Sequence, residues 1–131
     1  NEMCLPPCHI LYIFNVTKID KQKYLSLMMV QRSADMFHGV PFNIASCSMF
    51  LLMMAHRVGM KPFRFIHSVA DAHIYETHIK TATEQVQREP CMFPHISIEC
   101  EPKSNLEDYE FSDIEIYDYF SHNAIKADMV A

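Results

Sequence analysis

Glycine, tryptophan and positive charge are scarce in this sequence. Gly39 and Gly59 are the only glycines among 131 residues, and tryptophan is absent. No glycine-rich phosphate loop can therefore be drawn, which excludes P-loop and dinucleotide-binding motifs. Eleven Lys and Arg stand against sixteen Asp and Glu, a net charge of −5. This balance argues against nucleic-acid binding through a broad basic surface, so any bound phosphate must be held by a few placed arginines.

The five cysteines form no dense framework, and we expect free thiols in a reducing compartment. They are Cys4, Cys8, Cys47, Cys91 and Cys100. The expected location is the cytoplasm, with the nucleus or mitochondrion as further compartments in a eukaryote. The longest apolar run, residues 44–55, is interrupted by serines and is too short to span a bilayer, so no membrane association is expected. No His spacing fits a metal site, and we expect no metal.

The apolar pattern predicts an α+β domain with the order β-β-α-β-α-β-β. The predicted elements are strands 10–16 and 24–30, a central helix 44–58 stopped by Gly59, an extended stretch 63–74, a helix 77–88, and strands 96–100 and 114–117. Two helices are too few to cover a sheet that is apolar on both faces. The second face should meet another subunit or a missing part of the protein. The chain starts at Asn1 and reaches its motifs almost at once, which suggests a partial sequence.

Cys8, after Pro6-Pro7 and before His9, is the candidate nucleophile. A thiol attacks only as thiolate, so it needs a nearby positive charge or base. His9 should point to the opposite face of the strand, which leaves Arg32 on the next strand as the group expected to stabilise the thiolate. The alternative is a buried structural cysteine.

Arg32 and Ser33 offer a guanidinium fork and a hydroxyl, a suitable grip for a phosphate. The alternative is a solvated strand end, with Arg32 paired to Asp35. Asn43 can accept and donate at once, as the edge of a pyrimidine requires. Its alternative role is a plain helix N-cap.

Asp71, His73 and Tyr75 alternate along an extended stretch, so we expect all three on one side. They could hydrogen-bond a sugar hydroxyl. The alternative is a half-buried strand face whose polar groups are satisfied by the protein itself.

These stretches together resemble the C-terminal half of thymidylate synthase. The resemblance rests on Leu5-Pro6-Pro7-Cys8-His9, residues 31–37 (QRSADMF), residues 39–46 (GVPFNIAS), residues 71–75 (DAHIY), Arg88-Glu89-Pro90 and Ile125-Lys126. They stand in the family's order and spacing over essentially the whole chain. The resemblance implies that residues 1–131 are the C-terminal catalytic portion of such a domain, with the N-terminal half absent. It also implies a mixed β-sheet, a buried central helix and a homodimer formed through the sheet face.

The resemblance implies reductive methylation of dUMP to dTMP with 5,10-methylenetetrahydrofolate as cosubstrate, giving dihydrofolate. The thiolate of Cys8 would add to C6 of the uracil ring. Contacts to dUMP are implied for Arg32, Ser33, Ala34, Asp35, Asn43, His73, Ile74 and Tyr75. Contacts to the folate are implied for Asp35, Gly39, Phe42 and Val130.

Several positions depart from the family's pattern. Val69-Ala70 stand where Gly-Gly is usual, Thr77 replaces an asparagine, and His38 replaces an apolar residue beside the folate. Two alternatives therefore stay open. One is a pyrimidine-nucleotide hydroxymethylase of the same fold, in which water completes the reaction. The other is a non-catalytic remnant that serves as an interaction protein.

Overall fold

The computed structural model describes residues 6–130, and the chain divides into two compact units, Asn1–His73 and Ile74–Ala131. The predicted element order is confirmed. The first unit contains β1 (His9–Ile19), β2 (Gln22–Asp35), α1 (Val40–Arg57) and β3 (Lys61–His73). Its sheet has the order β1-β2-β3, with β1 antiparallel and β3 parallel to the central strand. The predicted α+β class with a mixed sheet is therefore confirmed.

One face of β2 forms the core of the first unit. Leu25, Leu27 and Met29 alternate along the strand, and all three are buried. A period of two places them on one face of the sheet. They pack against side chains of α1, namely Cys47, Leu51 and Ala55. The helix therefore packs one face on the sheet, while Phe42 and Ile44 on α1 are exposed.

Helix α1 begins at Val40, one turn earlier than the predicted start at residue 44. Pro41 is its second residue, where the missing N–H would have no helical partner in any case. Gly39 is the N-cap. The interpretation of Asn43 as the N-cap is therefore wrong, since Asn43 lies inside the first turn. Gly59 has a φ of +64° just after the helix, which confirms it as the stop.

The other face of the three-stranded sheet carries exposed apolar side chains. Ile13 pairs with Met28, which pairs in turn with Ile66, and this row points away from α1. Ile13 is 44% exposed and Ile66 is 47% exposed. No described residue of the first unit covers this row.

The second unit combines one short helix with a two-stranded antiparallel sheet. A 3-10 turn, Glu76–His78, leads into α2 (Ile79–Val86), and β4 (His95–Ile98) pairs with β5 (Ile114–Tyr117). The predicted helix 77–88 is thus shorter and begins as a 3-10 turn. Two further 3-10 turns, Leu106–Asp108 and Phe111–Asp113, precede β5. Among the described residues, no helix is long and apolar enough to cross a membrane.

Asp113 ties the segment before β5 together. Its carboxylate accepts the N–H of Glu110 at 2.8 Å and lies 3.1 Å from the ammonium of Lys103. Both contacts favour the charged form, so they hold the pKa of Asp113 below its usual range. The residue thus stabilises this turn.

Candidate active site

The backbones of Cys8 and Arg32 pair at the start of β1. The Arg32 guanidinium donates through Nε to the Pro7 carbonyl (3.1 Å) and through Nη2 to the Pro6 carbonyl (2.7 Å). The Arg32 backbone N–H donates to the Cys8 carbonyl at 2.9 Å. Arg32 therefore fixes the segment that carries the exposed Cys8 thiol. The alternative that Cys8 is a buried structural cysteine is wrong.

His9 turns away to a separate partner. Its Nδ1 lies 2.8 Å from the Tyr12 hydroxyl, and the two rings meet edge to face. The register between β1 and β2 shifts between His9 and Leu11, so the strand is irregular directly after the cysteine. This arrangement leaves Arg32 as the charged side chain attached to the Cys8 segment.

Ser33, Asp71 and His73 form a hydrogen-bonded group across β2 and β3. The Ser33 hydroxyl donates to Oδ2 of Asp71 at 3.2 Å, and Nδ1 of His73 lies 3.3 Å from the same oxygen. The parallel register places Ser33 opposite Asp71. Arg32 and Ser33 are consecutive strand residues, and each is already tied to a different part of the first unit. A phosphate held by Ser33 would require its hydroxyl to turn from Asp71.

Asp35 closes the turn between β2 and α1. Its Oδ1 accepts the N–H groups of Phe37 (2.9 Å) and His38 (3.3 Å), and its carbonyl accepts the N–H of Gly39 (3.0 Å). A Cβ on Gly39 would lie 3.1 Å from the Asp35 carbonyl oxygen, tighter than ordinary contact. A larger residue at position 39 would press on that backbone oxygen, so the turn favours glycine. The turn leaves Oδ2 as the Asp35 oxygen for a ligand.

Asn43 projects from the first turn of α1 toward β2. Its Oδ1 accepts a hydrogen bond from Nε2 of Gln31 at 3.1 Å. The same Gln31 nitrogen donates to the Ser33 carbonyl at 2.9 Å. Gln31 is only 3% exposed, and these bonds satisfy its amide in the interior.

Gln31 and His67 are site residues to which the sequence analysis gave no role. Oε1 of Gln31 lies 2.8 Å from Nε2 of His67 on β3. Burial, followed by the nearby His9, lowers the pKa of His67 below its ordinary value. A signal for Gln31 was present, since it continues the alternating buried positions Leu27 and Met29 with a polar side chain. His67 had no such signal, because only the register brings it to Gln31.

Ala34 and Phe42 differ sharply in exposure. The Ala34 side chain is buried at 2% exposure, whereas Phe42 is 76% exposed on α1. Phe42 therefore offers an aromatic surface. Val69 and Ala70 are ordinary residues of β3, and Val69 pairs with Gln31, so the strand accommodates both side chains.

The remaining predicted site residues belong to the second unit. β3 ends at His73, so the expected alternation does not extend to Tyr75, which caps the following 3-10 turn. Tyr75 packs edge to face on His78 at 5.7 Å between ring centroids, and Ile74 is 47% exposed.

Val130 lines a cavity of about 520 Å³ in the second unit. The other lining residues are Thr77, His78, Thr81, Lys126, Ala127, Asp128 and Met129. Nε2 of the buried His78 donates to the Asp128 carbonyl at 2.7 Å, which holds the C-terminal residues 126–130 beside this cavity. Leu5 of the first motif, Cys4 and the terminal Ala131 lie outside the described residues.

An exposed cysteine follows two residues that an arginine side chain holds, on a mixed sheet with one helix packed against it. This arrangement defines an α+β domain with a candidate thiol nucleophile. The model of the family described as thymidylate synthase matches residues 1–131. The chain therefore belongs to the thymidylate synthase family.

Three relatives illustrate this membership. The chain is 43% identical to "Thymidylate synthase 1/2" of Encephalitozoon cuniculi, over 99% of the chain and 43% of that protein. It is 44% identical to a thymidylate synthase of Mycoplasma mobile, over 97% of the chain and 42% of that protein. A bifunctional dihydrofolate reductase-thymidylate synthase of Leishmania major is 42% identical, over 98% of the chain and 24% of that protein. The chain thus spans less than half the length of these relatives.

Proposed function

We propose that this chain carries the nucleophile and much of the nucleotide site of a thymidylate synthase, which methylates dUMP to dTMP with 5,10-methylenetetrahydrofolate. The observation that carries the proposal is the attachment of Arg32 to the two residues before Cys8, at 3.1 and 2.7 Å. A nucleophile must be held in one position relative to the ring that it attacks. Arg32 supplies that restraint and brings a permanent positive charge to the thiol's segment.

In the proposed reaction, the Cys8 thiolate adds to C6 of the uracil ring and makes C5 nucleophilic. C5 then attacks the one-carbon unit of the folate. Loss of the C5 proton, release of Cys8 and hydride transfer from the folate give dTMP and dihydrofolate. Negative charge develops toward O4 of the ring during the first addition, so a preorganised donor there stabilises it. Asn43 is suited to be that donor, because its oxygen is occupied by Gln31.

The dUMP contacts are proposed for residues that precede and follow Asn43 in the sequence. Arg32 and Ser33 would hold the phosphate, while His73 and Tyr75 would bind the deoxyribose. Ala34 and Ile74, which adjoin Ser33 and His73 in the sequence, would also contact dUMP. For the folate we propose contacts from Asp35, Gly39, Phe42 and Val130. Phe42 supports this assignment by its exposure of 76%.

A covalent-trapping experiment tests the proposed function. The chain is mixed with 5-fluoro-dUMP and 5,10-methylenetetrahydrofolate and analysed by denaturing mass spectrometry. We expect a ternary adduct that is lost in Cys8→Ser and kept in Cys91→Ser, a matched control because both cysteines are exposed. An unmodified wild-type chain would contradict the proposal and favour the non-catalytic remnant. Turnover with dUMP then separates dTMP from the 5-hydroxymethyl product of a hydroxymethylase.

We also propose that the chain forms a homodimer through the sheet face opposite α1. The row Ile13, Met28 and Ile66 supports this, because a contiguous exposed apolar row is typical of an interface. Ile66→Glu should shift the mass in light scattering from dimer to monomer, while Gln85→Glu on the exposed face of α2 should not. A wild-type monomer would refute the dimer. The cytoplasmic location stays a prediction.

A further inference from the structure

Three polar side chains form a continuous hydrogen-bonded row between the sheet and α1. His67 on β3 contacts Gln31 on β2 at 2.8 Å, and Gln31 contacts Asn43 on α1 at 3.1 Å. The Ser33 carbonyl joins the row at 2.9 Å from Nε2 of Gln31. The proposed function uses only Asn43, the last member of this row. The other members determine how that amide is oriented.

The Ser33 carbonyl fixes every orientation in the row, because a backbone carbonyl can only accept. The Gln31 atom beside it must therefore be the amide nitrogen. The second hydrogen of that nitrogen points to Asn43, so the Asn43 atom facing it must be Oδ1. Nδ2 of Asn43 is consequently turned away from Gln31. Oε1 of Gln31 is left facing His67, and since this oxygen only accepts, Nε2 of His67 must carry a hydrogen.

We propose that His67 is a positioning residue that acts through Gln31 to fix the amide of Asn43 with its nitrogen directed away from Gln31. This inference rests on the proposed function only where it concerns nucleotides. If Gln31 turned over, its oxygen would face the Ser33 carbonyl and its nitrogen would face the N–H of His67. The contact with Ser33 would be repulsive, and so would the contact with His67 as long as the ring carries its hydrogen on Nε2. His67 and Ser33 thus hold the same amide from opposite ends.

The surroundings of His67 support a single, neutral form of its ring. Phe65 stacks on it with 5.9 Å between ring centroids and an angle of 23°. Burial and the neighbouring His9 both disfavour the protonated ring, which keeps the pKa of His67 low. A neutral histidine has one N–H, and the row requires that hydrogen on Nε2.

The fixed amide predicts a preference between pyrimidines. Uracil presents an accepting O4 and a donating N3–H, which match Nδ2 and the remaining lone pair of Oδ1 of Asn43. Cytosine presents the reverse pattern, a donating amino group and an accepting N3. Binding cytosine in the same way would require Asn43 to turn over, and its nitrogen would then face the N–H of Gln31. His67 therefore favours uracil without touching the base.

Long-range nitrogen–proton NMR on the labelled wild-type chain tests the inference without any nucleotide. We expect the His67 ring to carry its hydrogen on Nε2 near neutral pH, and a ring with a bare Nε2 would overturn the proposal. In His67→Phe, the side-chain amide signals of Gln31 and Asn43 should shift. His67→Gln, which keeps an N–H donor, should restore them. His95→Phe, which replaces an exposed histidine of the second unit, should leave them unchanged.

The nucleotide measurement compares dUMP with dCMP binding by the same NMR signals. We expect His67→Phe to lower the preference for dUMP by about tenfold, the effect of losing one buried restraint, and His67→Gln to recover it. A folded His67→Phe chain with unchanged preference would overturn the proposal. If the wild-type chain binds neither nucleotide, the proposed function fails, and the position of the hydrogen on His67 alone decides this inference.

Discussion

Replacing Arg32 tests directly whether its side chain holds the segment that carries Cys8. The guanidinium makes two hydrogen bonds, to the Pro7 and Pro6 carbonyls, and its own backbone N–H binds the Cys8 carbonyl. A lysine can keep one of the two side-chain bonds, and an alanine keeps neither. Arg32→Lys and Arg32→Ala therefore form a graded series at one position.

The size of the effect follows from the exposure of these bonds. A hydrogen bond from a charged donor contributes about 1.5–3 kcal/mol when buried. Solvent reaches both bonds to Arg32, so about 1 kcal/mol each is the appropriate scale. Local opening should rise about fivefold in Arg32→Lys and about thirtyfold in Arg32→Ala.

Amide hydrogen exchange at residue 32 measures this opening, after correction for the intrinsic rate of the new side chain. The amide of Leu27, in the middle of β2, provides an internal reference that should not change. Arg64→Lys is the matched control, since Arg64 lies over the Phe63 ring at 4.7 Å and does not contact the Cys8 segment. Wild-type exchange at residue 32 in Arg32→Ala would refute the reasoning.

Three further measurements test other parts of the structure. Leu27→Ala should lower the free energy of unfolding in urea by about 2–5 kcal/mol, because Leu27 is 0% exposed and its loss leaves a cavity; a change below about 1 kcal/mol would contradict this packing. Glu115 accepts the Tyr117 hydroxyl at 2.6 Å and raises the pKa of Tyr117 to about 12. Phenol ionisation in Glu115→Gln should therefore occur at lower pH by absorbance titration, and an unmoved midpoint would exclude Glu115 as the cause. Burial and nearby Asp113 raise the pKa of the Cys100 thiol, so iodoacetamide should label it more slowly than the exposed Cys91 in peptide mapping; equal rates would count against the shift.

The sequence predicted the elements better than their ends. Apolar segments bounded by turn residues identified β1, β2 and α1, although the structure leaves most side chains of β1 exposed. The polar end of β2 left no such repeat, and the strand was predicted to stop at Val30. It continues to Asp35 because Ser33 and Asp35 pair with Asp71 and His73 across the parallel register. That register depends on contacts far apart in the chain.

The same distinction separates the site residues that were predicted from those that were not. Cys8 and Arg32 could be placed on adjacent strands, and in the structure the Arg32 backbone N–H donates to the Cys8 carbonyl. The specific bonds, from Arg32 to two backbone carbonyls, could not be foreseen from residue types. Gln31 broke an apolar alternation and could have been found. His67 could not have been found, because its contact with Gln31 depends on how β2 and β3 are aligned, and a shift of one residue would remove it.

The hydrogen bonds of Arg32 and those of Gln31, both on β2, constrain different parts of the proposed reaction. Arg32 restrains the segment of the attacking sulfur from one side of β2, and Gln31 restrains the Asn43 amide from the other. Because consecutive residues of a strand project to opposite faces, one strand can fix both groups at the same level. A shift of β2 by one residue would move Arg32 and Gln31 to the opposite faces of the sheet and abolish the hydrogen bonds of both. The proposed chemistry therefore depends on the register of a single strand, which its buried Leu27 and Met29 hold in place.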